Sequence, residues 1–385
     1  MRDWTRREVL GAGLGGVGAW LCSGAVRPVR GWVQEAAQAA APERMVARAV
    51  EFLKGRQAAD GSWSSDRKEP GITALVLTAL LRSGRVSAHE PVITRGLQYL
   101  EPFLGEDGGL SGAAHANYTT AIAMLAYKEA NVNGRYDARL KGAQEFLKGK
   151  QWDETEGKDS KDPYYGGAGY GGRNSRPDLS NTSFMIEALR ETGLPADDPS
   201  LQKALIFISR CQNLQSEFND QAWAGKVNDG GFIYTPAQGG VSMAGPTEEG
   251  GLRSYAGMTY AGLKSMIYAG LSREDARVKA ALRYIANHYT VDENPGMGQA
   301  GLYYYYQVFA KALALLGEAK LRDAGGREHD WRADLRGALA ARQREDGSWV
   351  NATDRFMEGD ANLVTAYALL ALDYAREKPQ GARSG

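Results

Sequence analysis

The chain has 385 residues, 43% of them hydrophobic, and its 46 lysines and arginines equal its 46 aspartates and glutamates. That balance leaves no basic excess to neutralise phosphates, which argues against nucleic acid as the main ligand. With two cysteines and four histidines, no cysteine cluster can hold a metal, and no intrachain disulfide remains once Cys22 leaves with an N-terminal signal.

Residues 1–42 read as a twin-arginine export signal and linker. Arg6-Arg7 precedes a small-residue apolar run from Val9 to Cys22, and Ser23-Gly24-Ala25 offers small residues for cleavage. The run holds about a dozen apolar residues, short of the ~20 that span a bilayer. The mature chain is therefore expected to carry no membrane segment and to lie outside the cytoplasm, in the periplasm or beyond.

From Glu43 the chain repeats itself. Arg48-Ala49, Phe52-Leu53 and Gln57 put apolar residues on one face of a helix, and Asp60-Gly61-Ser62-Trp63 follows as a turn. The frame returns as Lys141-Gly142, Phe146-Leu147 and Gln151, then as Lys203-Ala204, Phe207-Ile208 and Gln212. It closes the chain almost unchanged from Gln343 to Trp349. Weaker copies begin at Arg95-Gly96 and Lys279-Ala280. Six units are thus expected within residues 43–375, followed by a polar tail over 376–385. Cys211, at the end of one of these helices, is expected as a small buried residue.

Each unit carries a second helix, marked by a threonine column of Thr73, Thr119, Thr182, Thr259 and Thr365; the fifth unit departs, with Tyr303 to Tyr306 in its place. These second helices are apolar nearly all round and are expected to be buried on several sides, whereas the first helices carry charge on one face. An inner ring inside an outer ring follows. The first and last units are the most alike, where an open solenoid would need polar caps. The predicted fold is therefore all-α: a closed double ring of about six helical hairpins, an α/α-toroid. Its six inner N-termini would converge on one mouth with their partial positive charge.

The frame of Lys/Arg, Gly/Ala, aromatic, Leu/Ile, Gln and Gly-x-Trp resembles the glutamine–tryptophan repeat of the squalene-hopene and oxidosqualene cyclases. Their toroid is shared with protein prenyltransferase β subunits, and the resemblance covers Glu43 to Ala375. It implies that the glutamine ties adjacent helix ends together while the tryptophan stacks beneath. It also implies a place for chemistry, because class II cyclases protonate an alkene with the middle carboxylate of Asp-x-Asp-Asp. Here Pro177-Asp178-Leu179-Ser180-Asn181-Thr182 matches only at Asp178. Ser180 stands in place of the donor and cannot protonate an unactivated alkene, so standard class II cyclisation is not expected. The prenyltransferase zinc set of Asp, Cys and His has no counterpart, since Cys211 belongs to an outer helix and His89, His115, His288 and His329 are scattered. No metal and no cofactor are expected.

Counted back from the threonines, Glu69, His115, Asp178 and Tyr255 fall four residues earlier and Asp360 five, which marks them as candidates for the mouth. Asp178 and Asp360 belong to the third and sixth units and would face each other as an acid–base pair or cation ligands. Aspartates at helix N-termini also serve simply as caps. His115 is the one histidine near the mouth, placed either to titrate against a ligand or to hold a structural hydrogen bond. Tyr303 and Tyr304, with Tyr118, Tyr255 and Tyr260, would form an aromatic lining suited to a carbocation, to sugar stacking or to core packing. Four consecutive tyrosines spread around a helix, so only one or two can face the cavity.

Two Gly-x-Gly-x-x-Gly matches, at Gly11 and Gly167, follow no predicted strand and give no dinucleotide site. The second, with Tyr164, Tyr165 and Tyr170, reads as a loop near the mouth. Glu248 to Arg253 reads as a lid, a clamp or a solvated connection. The leading functional expectation is an exported toroid that binds an isoprenoid or other apolar ligand. The alternatives are a carbohydrate-active lyase or hydrolase, with Asp178, Asp360 and His115 as acid and base, and a non-catalytic scaffold.

Overall fold

The computed structural model describes residues 41–64, 70–110, 115–171 and 175–376. The twin-arginine segment, Cys22, Glu69 and the tail from residue 377 lie outside the described residues. Six helices form an inner set: α2 (Pro70–Arg82), α4 (Ala116–Glu129), α6 (Leu179–Glu191), α9 (Ala256–Tyr268), α11 (Leu302–Leu316) and α13 (Ala361–Tyr374). Six more form an outer set: α1 (Ala41–Gly55), α3 (Pro91–Leu100), α5 (Asp137–Lys148), α7 (Pro199–Arg210), α10 (Ala276–Asn287) and α12 (Trp331–Arg342). A single turn, α8 (Ala224–Val227), lies in the connection after α7, and β1 (Leu321–Arg322) pairs antiparallel with β2 (Glu328–His329) before α12.

The inner set closes on itself. Helix α2 packs on α4, α4 on α6, α6 on α9, α9 on α11, α11 on α13, and α13 back on α2. The outer helices pack against this ring, and α1 meets both α13 and α12, so the seam between the chain's ends is built like the other joints. Aspartates start many of these helices. Asp198, Asp275 and Asp330 cap α7, α10 and α12 by accepting from Ser200, Arg277 and Arg332 N–H groups, which relieves orphan donors of the first turn.

The repeat residues are the joints. Gln57 Nε2 donates to Gly61 O in its own turn and to Val92 O at the start of the next outer helix. Gln151 bridges Gly166 O and Ser200 O, and Gln212 bridges Gly230 O and Arg277 O. Gln343 bridges Gly347 O and Met45 O, and so ties the last outer helix to the first. The indoles of Trp63 and Trp349 donate to Leu53 O and Leu339 O, carbonyls in the last turns of α1 and α12. Gly61 and Gly347 have no substitute. Their φ angles are +92° and +89°, and a Cβ would lie 2.4 Å from Arg95 O and 2.5 Å from Arg48 O respectively.

The threonine column is real, with one correction. The hydroxyls of Thr73, Thr182, Thr259 and Thr365 accept from the backbone N–H groups of Trp63, Ala168, Phe232 and Trp349. In the second unit the acceptor for Leu110 N–H is Thr120, not Thr119. Two adjacent threonines cannot be told apart by spacing, but a shift of one residue turns a helical side chain by about 100°. Thr119 faces the centre instead.

The inner helices are also less uniformly apolar than their sequences suggest. Near the C-terminal ends of the inner ring, every inner helix sends in a polar side chain: Arg82, Glu129, Glu187 with Glu191, Lys264, Lys311 and Tyr374. Lys264 Nζ lies 2.5 Å from Glu187 Oε2, both side chains being 1% exposed. Lys311 contacts Glu187 at 3.5 Å and also pairs with Glu191, which is further paired with Arg82. Against the cost of burial, Lys264 and Lys311 hold the Glu187 carboxyl below its usual range, and Lys311 and Arg82 do the same for Glu191. Glu187, Lys264 and Lys311 give little signal in the sequence because each stands among small or apolar neighbours. They pair only across the ring axis.

Candidate functional site

At the other end of the inner ring, around the helix N-termini, lies a cavity of about 420 Å³. Its positions follow the corrected threonine column. Two residues before each threonine come Gly71, Tyr118, Ser180, Gly257 and Leu363, and two residues after come Leu75, Ile122 and Tyr367, all lining the space. These positions flank the threonine, whose own side chain turns back to the preceding turn. From α11 and its N-cap the lining takes Tyr304 and Gly301, and the loops add His115, Tyr170, Tyr234, Met243, Tyr255, Asn294, Phe356 and Met357.

The wall is a chain of rings. His115 lies 4.9 Å from Tyr170, Tyr170 lies 6.0 Å from Tyr118, and Tyr118 meets Phe184 edge-on at 5.0 Å. Tyr304 links Phe184, at 6.3 Å, to Tyr367, at 6.1 Å. Ser180 Oγ donates to the Tyr304 hydroxyl at 3.2 Å. Below them Lys264 Nζ lies 5.5 Å from the Phe184 ring centre, so the rings separate the cavity from the axial ion cluster. Burial pushes the Tyr118, Tyr304 and Tyr367 phenols far above their ordinary range, so all three stay neutral.

Asp178 is the N-cap of α6 and is buried. Its Oδ1 accepts from Asn181 N at 2.9 Å and its Oδ2 from Asn181 Nδ2 at 2.7 Å. Burial raises its carboxyl to about 6, with the Asn181 donors and the Tyr234 hydroxyl pulling the other way. Asp360 is the N-cap of α13, accepting from Asn362 N and Leu363 N. The two aspartates sit on helices opposite each other in the ring, each engaged with its own helix, and neither lines the cavity. His115 is the N-cap residue of α4 without a side-chain cap bond, and its ring does line the cavity.

Of the tyrosines proposed as lining, Tyr118, Tyr255 and Tyr304 face the cavity, and Tyr260 and Tyr303 do not. Tyr260 is fully packed against Tyr305 and Phe309, at 5.7 and 5.0 Å, in the layer between α9 and α11. Tyr303 packs edge-on against Tyr306 at 5.7 Å. Tyr305 and Tyr306 send their hydroxyls outward to Thr290 O and Val291 O. Successive positions separated by about 100° leave only Tyr304 on the inner face. The Glu248-Glu249 stretch is exposed, in a hairpin closed by a Pro246–Leu252 bridge.

Sequence reasoning missed Glu358. Fully buried, it reaches back to the N-terminus of α11, its Oε1 accepting from Tyr303 N at 2.9 Å and Tyr304 N at 2.8 Å. Asn351 Nδ2 holds its Oε2 at 2.6 Å. Burial pushes this carboxyl up to about 7, against Asn351 and the helix N–H groups. It anchors the strap from Asp354, on which Phe356 and Met357 both adopt φ of +64°. That region is uncommon for residues with a bulky Cβ. No group of three or more His, Cys, Asp or Glu able to hold a metal occurs among the described residues.

No family model and no curated protein matches the chain. Solved structures do. A variant of the type II terpene cyclase MstE from Scytonema superposes with a TM-score of 0.55 at 14% identity, covering 88% of this chain and 98% of that one. The fold is the α/α-toroid. A second MstE variant, in complex with its substrate geranylgeranyl dihydroxybenzoate, gives 0.53 at 15% identity over 88% and 98%. A family 76 glycoside hydrolase from a bovine Bacteroides thetaiotaomicron strain gives 0.54 at 13% over 86% and 77%. At these identities the toroid itself is what the proteins share. In this toroid the mouth is floored by tyrosines and closed at the far end by ion pairs.

Proposed function

We propose that the toroid binds an isoprenoid or other largely apolar ligand in its central cavity, without the chemistry of a standard class II cyclase. The observation that carries this reading is the lining: mostly aromatic rings, methionines, aliphatic side chains and small residues, with His115, Thr119, Ser180 and Asn294 as its polar members besides the tyrosine hydroxyls and no carboxylate among the described lining residues. The volume falls within the range of roughly 300–1,000 Å³ typical of small-molecule pockets. Ser180 offers a hydroxyl bound to Tyr304 where an alkene-protonating acid would be needed. The related fold of MstE, which takes a geranylgeranyl substrate, supports the same ligand class. Export through the twin-arginine segment is part of the proposal and places the binding site outside the cytoplasm.

The glycoside hydrolases of the same fold support a second reading less well. A hydrolase of that kind needs two free carboxylates about 5–10 Å apart across the bond. Among the described residues, the buried or half-buried carboxylates at this mouth, Asp178, Glu358 and Asp360, are each engaged by backbone N–H groups of a helix start.

The experiment is to incubate the mature protein with geranylgeraniol and with a mannan oligosaccharide and to follow complexes by native mass spectrometry. The prenol should bind and the glycan should not. Gly71→Leu provides the control, because a Cβ at Gly71 meets only Thr119 Oγ1, at 3.6 Å, and the added side chain projects into the cavity. This variant should keep its melting temperature and lose the prenol. Prenol binding that is unaffected by Gly71→Leu, or glycan turnover, would refute the reading.

A further inference from the structure

The charged groups at the mouth are unequally committed. Asp178 caps α6, Asp360 caps α13, Glu358 caps α11, and Asp354 Oδ1 accepts from Gly359 N at 2.8 Å. Two guanidiniums have no such engagement. Arg176 Nη1 makes a 3.3 Å bond to Gln238 Oε1 and its guanidinium lies 5.7 Å from the Tyr234 ring centre. Arg355 Nη2 donates to Met243 O at 3.4 Å, with its guanidinium 4.9 Å from the Phe356 ring centre. Among the described residues neither arginine forms a salt bridge, although the Arg176 charge helps to hold down the Asp178 carboxyl nearby. Tyr234, Met243 and Phe356 are themselves cavity-lining, so each cation is seated on the rim of the apolar space.

We infer that the ligand is an amphiphile with one anionic head, a carboxylate or a phosphate, held by Arg176 and Arg355 at the rim while its apolar body fills the cavity. This rests on the reading of the cavity as an apolar-ligand site. A guanidinium has five N–H donors in a planar fork that matches either oxyanion, and each of these two spends little of that capacity on the protein. The inner-helix N-termini, with their partial positive charge, converge on the same mouth and favour the same sign of ligand. The aromatic wall and the Phe184 floor take the other end, where a charge would lose its water without a partner.

The test uses the mature protein and three probes of one tail: geranylgeraniol, geranylgeranoic acid and geranylgeranyl phosphate. Affinities are measured by calorimetry below their aggregation thresholds. The acid or the phosphate should bind at least about tenfold tighter than the alcohol, a difference of ~1.4 kcal/mol. Whichever anion is tighter identifies the source of the head group. Arg176→Gln with Arg355→Gln should bring the anions to the affinity of the alcohol and leave the alcohol unchanged. The anion advantage should also shrink as salt rises from ~0.1 to ~1 M, over which the screening length falls from about 10 to 3 Å. Equal binding of alcohol and anions, or an anion advantage that survives in the double variant, overturns the inference and leaves the apolar-ligand reading standing. Failure of all three probes overturns both.

Discussion

Lys264→Met isolates a buried ion pair of the axial cluster. Lys264 and Glu187 are both 1% exposed, and in the variant Glu187 keeps the 3.5 Å contact to Lys311, which is shared with Glu191, and a long 3.5 Å hydrogen bond from the Tyr374 hydroxyl. Breaking a buried pair by removing one partner costs about 3–5 kcal/mol, because the remaining charge is left without compensation. Unfolding entropy of ~2.1 cal/mol/K per residue, over the described residues, gives roughly 0.7 kcal/mol/K, so the melting temperature should fall by roughly 4–7 °C. The double variant Lys264→Met with Glu187→Met removes both desolvation penalties and replaces them with packed side chains. It should melt within about 2 °C of the parent, since such replacements are often neutral or stabilising. Scanning calorimetry at pH 7.5 and at pH 5 gives a further check. Without Lys264, the Glu187 carboxyl loses the partner that held it low, takes up a proton more readily, and the defect should be smaller at pH 5. A single variant as stable as the parent, or a double variant as weak as the single, would refute this account of the axial cluster.

Glu358→Gln tests a linkage whose sign is opposite to the usual carboxylate case. The folded carboxyl lies at about 7, above its ordinary 4.5, so its contribution to stability is complete below about 4.5 and is lost as pH rises through 7. The shift corresponds to roughly 3 kcal/mol. Denaturant titrations should therefore show Glu358→Gln gaining stability relative to the parent between pH 5 and pH 8, and a difference independent of pH would refute the assignment. Gly347→Ala forces a side chain onto a backbone at φ of +89° and within 2.5 Å of Arg48 O. It should cost roughly 1–3 kcal/mol and raise hydrogen exchange in α1 ahead of the other outer helices. Exchange that rises uniformly would argue against a local opening at that seam.

The ring was legible in the sequence because its joints are local. Gln343 and Trp349 repeat Gln57 and Trp63 at the same spacing, and the bonds they make lie within the turn, to the last turn of the preceding helix or to a neighbouring helix start. The site was less legible because counting led to the helix caps. Asp178 and Asp360 lie at or near the fourth residue before the threonine, where a side chain turns back to its own helix. The cavity is lined from the second residue before and after, and the substitution of Thr119 for Thr120 hid that register in the second unit. Glu358 gave no signal because the helix it caps begins more than fifty residues earlier. Lys264 and Glu187 were hidden for the same reason, since each finds its counter-charge only when the ring closes.

The seam through Gln343 and Met45 makes the order of the hairpins independent of where the chain begins. The described ends already meet at one turn: Arg85 donates to Glu43, and Arg376 donates to Arg82 O and Ser83 O. A circular permutant that joins these ends through a short linker and opens elsewhere, for instance at the exposed hairpin tip around Gly326, would retain every joint of the double ring. Exposed tips are where such rearrangements are best tolerated. The covalent path would then be one of several equivalent ways to thread the same circle, with the cavity at its centre unchanged.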